Sequence, residues 1–149
     1  MTEKDEFMSS FREVQPKFSR VYAYILSEAE LTLPQYALLS QLAETGEVAM
    51  TEISCKLCVS KPAVTNLVDR LEQKKFLKRA PHPKDRRIYL LQIQPKGKQV
   101  VRAIQAQILT FLLKTLDQLN PTERKSVVRF YALISKTIDD MLSKPKKPS

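Results

Sequence analysis

The sequence predicts a mainly α-helical chain that carries one small β-hairpin. Three observations lead there. Only two glycines occur among 149 residues, too few for a turn-rich β fold. Apolar residues recur at helical spacing through most of the chain, and Ser, Thr or Asn stands ahead of several of these repeats. Between residues 77 and 94 the pattern becomes that of strands, with two prolines in its middle. A single domain over residues 1–149 is expected at this length, with enough chain to bury a core.

The elements follow in order. Phe7, Phe11, Val14, Phe18, Val21 and Ile25 are spaced alternately by four and three, the seam of a helix that meets other helices. Pro16 interrupts it, so this helix either starts there or tolerates a kink. Thr32-Leu-Pro-Gln35 reads as a capping box with Pro34 in the first turn, opening a helix to about Thr45, and Gly46 suits the position just past its end. Thr51 is expected to cap a short third helix whose inner face is Ile53, Ser54 and Leu57. A tight turn at Cys58-Val59 leads to Ser60, which caps a fourth helix with the stripe Val64, Leu67, Val68 and Leu71. Two short helices joined in this way form a helix-turn-helix over residues 51–75.

Next come a strand at 77–80, a loop at 81–85 and a strand at 87–94, a hairpin over residues 77–94. Gln94-Pro-Lys-Gly97 opens a long helix carrying Val101, Ile104, Ile108, Phe111 or Leu112, Leu116 and Leu119. Asn120-Pro-Thr-Glu123 is a strong helix start, with the Asn as cap, the Pro first and the Glu third. The final helix has its own seam of Val127, Tyr131, Ile134, Ile138 and Met141. Residues 143–149, SKPKKPS, are expected to be a disordered basic tail.

Several function classes find no support. No apolar run approaches the roughly 20 residues that span a bilayer. The opening MTEKDEF is acidic and unlike a secretory signal. Two cysteines are too few for a disulfide scaffold, so a reducing, cytoplasmic location is expected and no membrane association. No G-x-G-x-x-G, P-loop or H-E-x-x-H occurs, so neither an enzyme nor a cofactor is expected. Cys55-x-x-Cys58 lacks the second ligand pair of a zinc site, and no metal is expected. Spaced by three on a helix, Cys55 and Cys58 are either structural or incidental thiols or a redox-sensing pair. His82, the only histidine, is either loop polarity or a ligand or sensor residue.

Charge points to a partner. The net charge is +9, and residues 56–102 hold 13 of the 25 Lys and Arg but three of the 16 acids, a surplus of ten. The rest of the chain is nearly neutral, with 12 basic and 13 acidic residues. A surplus concentrated in one third is the electrostatic footprint of a polyanion-binding surface. With its apolar stripe turned inward, the fourth helix presents Pro62, Asn66, Asp69 and Gln73, flanked by Thr65 and Arg70. Short polar, amide and guanidinium groups suit base edges in a major groove, Asn reading adenine and Arg reading guanine. Ser60 and the first free N–H groups offer a phosphate seat. Asp69 fits that face only if a cation pairs with it or a cytosine amine donates to it.

The hairpin loop completes the picture. In PHPKDRR, Lys84, Arg86 and Arg87 surround Asp85, which can pair with Arg87 and aim Arg86 or Arg87 at a minor groove. Pro81 and Pro83 limit the loop's freedom, lowering the cost of ordering it. Ile88, Tyr89, Leu90, Leu91 and Ile93 would root this wing on the core. Double-stranded DNA is therefore the expected partner, and the fold reads as a winged helix-turn-helix.

At these residues the chain resembles the multiple antibiotic resistance regulator (MarR) family of winged-helix transcription factors. The likeness runs from LTLPQYALLSQLAE through MTEISCKLCVSKPAVTNLVDRLEQKKFLKR to DRRIYLLQIQPKGK, and the flanking helices fit as well. The resemblance implies a homodimer joined by helices at 5–30 and 95–142, with a DNA-binding lobe at 32–94 on each copy. It implies DNA contacts by Ser60, Pro62, Ala63, Thr65, Asn66 and Arg70 and a wing pair of Asp85 and Arg87; the cations Lys61, Lys84 and Arg86 beside them complete the expected DNA-binding set. It further implies a sequence-specific repressor of a palindromic operator, released by a small aromatic effector or an oxidant. Phe18, Tyr22 and Tyr36 are either effector-pocket residues or plain core packing. The family often has Gly where Cys58 stands and Thr where Gln94 precedes Pro95, and the first departure favours thiol response at this turn. Two alternatives remain: a thiol-redox regulator using Cys55 and Cys58, and an architectural protein binding DNA without sequence preference.

Overall fold

The computed structural model describes residues 1–143. Six helices and three strands appear in the order α1 (Glu3–Glu28), α2 (Leu33–Thr45), β1 (Glu47–Ala49), α3 (Met50–Leu57), α4 (Lys61–Gln73), β2 (Leu77–Pro81), β3 (Tyr89–Ile93), α5 (Pro95–Leu116) and α6 (Pro121–Leu142). The chain is mainly α with a small antiparallel sheet of order β1-β3-β2. Contacts group it into two units, residues 1–108 and residues from Leu109 onward. Among the described residues no helix is long and apolar enough to cross a membrane.

In the first unit local chemistry sets most boundaries. The Thr32 hydroxyl accepts the Gln35 N–H at 3.3 Å, and the Gln35 side chain returns to the Thr32 N–H at 2.9 Å. This capping box satisfies two free donors at the start of α2 and explains how a polar Gln35 is buried. Gly46 ends the helix at φ 79, where a side chain would be strained. The Ser60 hydroxyl accepts the Ala63 N–H at 3.3 Å and starts α4. Leu38, Leu39, Leu42, Ile53, Val68, Leu71 and Leu91 are fully buried together, the core on which both parts of the site rest. Each such side chain gains about 1.5–3 kcal/mol by leaving water.

Several expectations need correction. Pro16 does not start the first helix; of the two alternatives the helix that tolerates the proline holds, since α1 runs through it from Glu3, capped by Thr2 with Asp5, to Glu28 rather than residue 30. Thr51 is not a cap. Ala49 holds that position with no side-chain bond, because β1 pairs Ala49 with Leu90 and fixes its extended backbone. Strand β1 itself has no counterpart among the expected elements, since three residues carry too little alternation to read. In the hairpin, β2 extends to Pro81 and β3 starts only at Tyr89, so Arg87 belongs to the loop. Of the wing root, Leu91 and Ile93 are buried, Ile88 and Leu90 half-buried, and Tyr89 exposed.

The second unit contains the end of α5 and all of α6. Asn120 accepts the Thr122 and Glu123 N–H groups at 3.0 Å, and the Glu123 carboxylate returns to the Asn120 N–H at 2.8 Å. Helix α5 stops at Leu116, which leaves Leu119 in the connection. There Arg124 donates to the carbonyls of Leu119 and Asp117 at 2.8 and 2.9 Å. The described part of the basic tail is Ser143 alone, and the rest of that expectation lies outside the described residues.

Candidate nucleic-acid interface

Helix α4 turns its stripe inward as its spacing demands: Val64, Val68 and Leu71 are buried and Leu67 is half-buried. Pro62, Thr65, Asn66, Asp69, Arg70 and Gln73 form the outward side and are all exposed, while Glu72 beside Gln73 is half-buried. Lys61 is exposed as well, while Ala63 is half-buried beside the stripe. The Arg70 Nε donates to Asn66 Oδ1 at 3.2 Å, so the two base-reading candidates are held side by side one turn apart. The Thr65 hydroxyl donates to the Lys61 carbonyl at 3.3 Å.

Sequence reasoning missed the residue that steadies this helix. Arg79 of β2 donates from one guanidinium nitrogen to Asp69 and from another to Glu72 at 2.7 Å, and its N–H donates to the same Glu72 carboxylate at 3.0 Å. Its side chain is only 20% exposed. Burial alone would lower its pKa, but the hydrogen bonds to Asp69 and Glu72 more than offset that and hold it raised. The pairing resolves the awkward place of Asp69, whose charge faces a fixed cation. It could not be read from spacing, because partners seven and ten residues apart meet only when β2 packs on α4.

In the wing, Arg87 donates from its N–H and its Nε to Asp85 Oδ1 at 3.0 and 3.1 Å, and from a terminal nitrogen to Oδ2 at 3.1 Å. This pair holds the Asp85 carboxyl below the usual range, through the Arg87 side chain first and its backbone N–H second. The Arg87 side chain is 91% exposed. Lys84 and Arg86 are exposed, with no ion pair among the described residues. His82 Nδ1 accepts the N–H groups of Lys84 and Asp85 at 3.1 and 3.3 Å, within the same loop. All three acids of the basic segment are thus engaged by arginine, and no unpaired carboxylate of that segment faces the cations.

The remaining candidates divide. Cys55 and Cys58 are free, exposed thiols, and Cys58 sits at φ 53, ψ 40, the left-handed conformation usually taken by glycine. Among the described residues no group of His, Cys, Asp and Glu is placed to hold a metal. Phe18 and Tyr22 line an apolar cavity of about 580 Å³ with Leu26, Leu31 and Leu33. Tyr36 is not among the residues that line it.

Comparison with known proteins agrees with this geometry. The MarR family pattern matches residues 31–89. The HTH-type transcriptional repressor MdtR of Bacillus subtilis is 32% identical over 123 residues, covering 75% of this chain and 79% of that protein. A point mutant of MepR from S. aureus, solved bound to an oligodeoxyribonucleotide, superposes with a TM-score of 0.70 at 20% identity, covering 91% of this chain and 97% of that one. NadR, solved in complex with 4-hydroxyphenylacetate, superposes with a TM-score of 0.71 at 16% identity, covering 97% and 95%. A capped helix with an outward polar face, a cationic wing beside it and a relative matched along most of both chains lead to one conclusion: the protein belongs to the MarR family of DNA-binding, winged helix-turn-helix transcriptional regulators.

Proposed function

We propose that this regulator is a homodimeric, sequence-specific repressor that binds an inverted-repeat operator and responds to a small aromatic effector. The observation that carries the reading is the pairing of two exposed reading elements on one cationic segment, the Asn66–Arg70 pair of α4 and the Asp85–Arg87 wing. In this reading Ser60 and Lys61 seat a phosphate at the start of α4. Pro62, Ala63 and Thr65 give apolar and hydroxyl contact, Asn66 reads adenine and Arg70 reads guanine. Lys84, Arg86 and Arg87 engage the minor groove and its phosphates. The repressor named among its relatives and the DNA complex of a structural neighbour support it.

The dimer would form through the apolar faces of the terminal helices, of which α6 alone exposes Leu133, Tyr131 and Met141 by 53%, 57% and 69%. Two recognition helices then lie about one DNA turn apart, roughly 34 Å, and half-sites fall about 10 bp centre to centre. The effector would enter the cavity lined by Phe18 and Tyr22, which suits an aromatic ring; the neighbour solved with a phenolic acid favours that class. A thiol-responsive variant of the same function draws on one specific observation, the two exposed free thiols, Cys55 in the last turn of α3 and Cys58 in the turn that follows. Such a regulator acts in the cytoplasm, where its DNA is.

Selection of bound duplexes from a random pool tests this reading. Recovery of an inverted repeat supports it. Equal competition by random DNA would replace it with an architectural role. A peroxide response that vanishes when Cys55 and Cys58 both become Ser would move the switch to the thiols.

A further inference from the structure

We propose that His82 is a positioning residue for DNA binding: its neutral imidazole is the acceptor on which the tip of the wing is folded. This rests on the reading that the wing touches DNA. Residues 82–88 between β2 and β3 lie outside the strand ladder, so the N–H groups of this loop must find acceptors within the loop itself. Its closure depends on two side chains. His82 Nδ1 takes the N–H groups of Lys84 and Asp85, and Asp85 Oδ1 takes that of Arg87. The backbone then shuts with His82 N–H to the Ile88 carbonyl at 2.9 Å and Ile88 N–H to the Asp85 carbonyl at 3.1 Å.

Both partners of Nδ1 are backbone N–H groups, which can only donate. Nδ1 must therefore carry its lone pair, and the neutral ring has its proton on Nε2. Asp85 and His82 differ as acceptors. The carboxylate is held ionised by Arg87 and accepts at any ordinary pH. The imidazole accepts only while neutral, for a proton on Nδ1 turns an acceptor into a donor facing two donors. His82 thus sets the position of Asp85, and through the Asp85–Arg87 pair the aim of the exposed cations on either side. The titratable and charged groups of the elements that meet at this loop are Lys84, Asp85, Arg86 and Arg87 of the loop itself, Tyr89 of β3, and Lys78 and Arg79 of β2, the last held by Asp69 and Glu72 of α4.

The proposal makes a sign prediction. A histidine acting only as a surface charge would bind a polyanion better once protonated. A histidine acting as the loop's acceptor binds worse, because the cap is lost. The probe is a labelled duplex selected by the wild-type protein from a random pool, with sheared mixed-sequence duplex DNA beside it. His82→Ala should weaken binding to the selected duplex by about three- to tenfold, the size of one or two lost neutral hydrogen bonds. His82→Asn, whose Oδ1 can stand where Nδ1 stands, should recover binding to within about twofold. At a pH low enough to protonate the ring, the wild type should lose affinity relative to His82→Asn. In the free protein, NMR should show the Lys84 and Asp85 amides titrating with the ring in wild type and not in His82→Asn.

Tighter wild-type binding at the lower pH relative to His82→Asn, His82→Ala binding as well as wild type, or amide shifts that ignore the ring would each overturn the proposal. A wild-type protein that holds neither duplex at either pH would overturn the DNA reading itself. That failure is separable, because the amide shifts read the cap with no DNA present.

Discussion

Between residues 31 and 104 the apolar helical stripes are closed over, and Leu38, Leu42, Ile53 and Val68 have no exposure at all. Helix α6 carries a seam of the same periodicity, yet none of its residues is buried, and Val128, Leu133 and Met141 remain 62%, 53% and 69% exposed. A hydrophobic period therefore fixes that a segment is helical and which face is apolar. It does not say what will cover that face. In the DNA-binding lobe the cover is chain from the same unit. For α6 the cover is, on our reading, a second copy of the protein.

The contrast can be broken by substitution, and the largest effect belongs to the lobe. Leu42→Ala should cost about 2–5 kcal/mol in urea denaturation, since a sealed core cannot collapse around the lost methyls. A cost below about 1 kcal/mol would mean the lobe core is no tighter than the α6 surface. Gly97→Ala comes next. An added Cβ would lie 2.1 Å from the Phe76 carbonyl oxygen and 3.1 Å from Ile93, so helix α5 must shift where it leaves the wing. About 1–3 kcal/mol of lost stability is expected, with larger changes in amide exchange at Phe76 and Gln94 than elsewhere.

Arg87→Ala should leave stability nearly unchanged, because the guanidinium is exposed, and weaken operator binding by about 1–3 kcal/mol. Unchanged affinity would remove the wing from the interface. The pH dependence of its pair with Asp85 has a defined sign. The folded Asp85 value is depressed, so the pairing is fully present above the ordinary carboxylate range of about 4 and is lost as pH falls through the depressed value. Carbon shifts of the Asp85 carboxyl would follow it. Smallest for the lobe is Ile138→Asp: its stability should change by no more than about 0.5 kcal/mol, while sedimentation should move from dimer to monomer. A dimer that survives this charge would place the interface elsewhere.

Much of this molecule lay in short-range rules. The boxes at Thr32 with Gln35 and at Asn120 with Glu123, the cap at Ser60, the polar face of α4 and the Asp85–Arg87 pair all join residues within four positions of each other. A reader of spacing alone can find such partners. The turn at Cys58-Val59 was legible in the same way, while the left-handed backbone of Cys58 emerged only in the structure.

What only the folded chain decided are the meetings at longer range. Three residues at Glu47–Ala49 become a strand because β3 pairs with them, and that pairing moves the cap of α3 from Thr51 to Ala49. Arg79 reaches Asp69 and Glu72 because β2 lies against α4, which converts an acid on the outward face of that helix into half of a fixed ion pair. Gly97 matters because the Phe76 carbonyl passes over it. In each case local propensity was silent or pointed elsewhere, and the gain from closing the core outweighed it, since backbone pairing and close packing are settled by neighbours in space rather than in sequence.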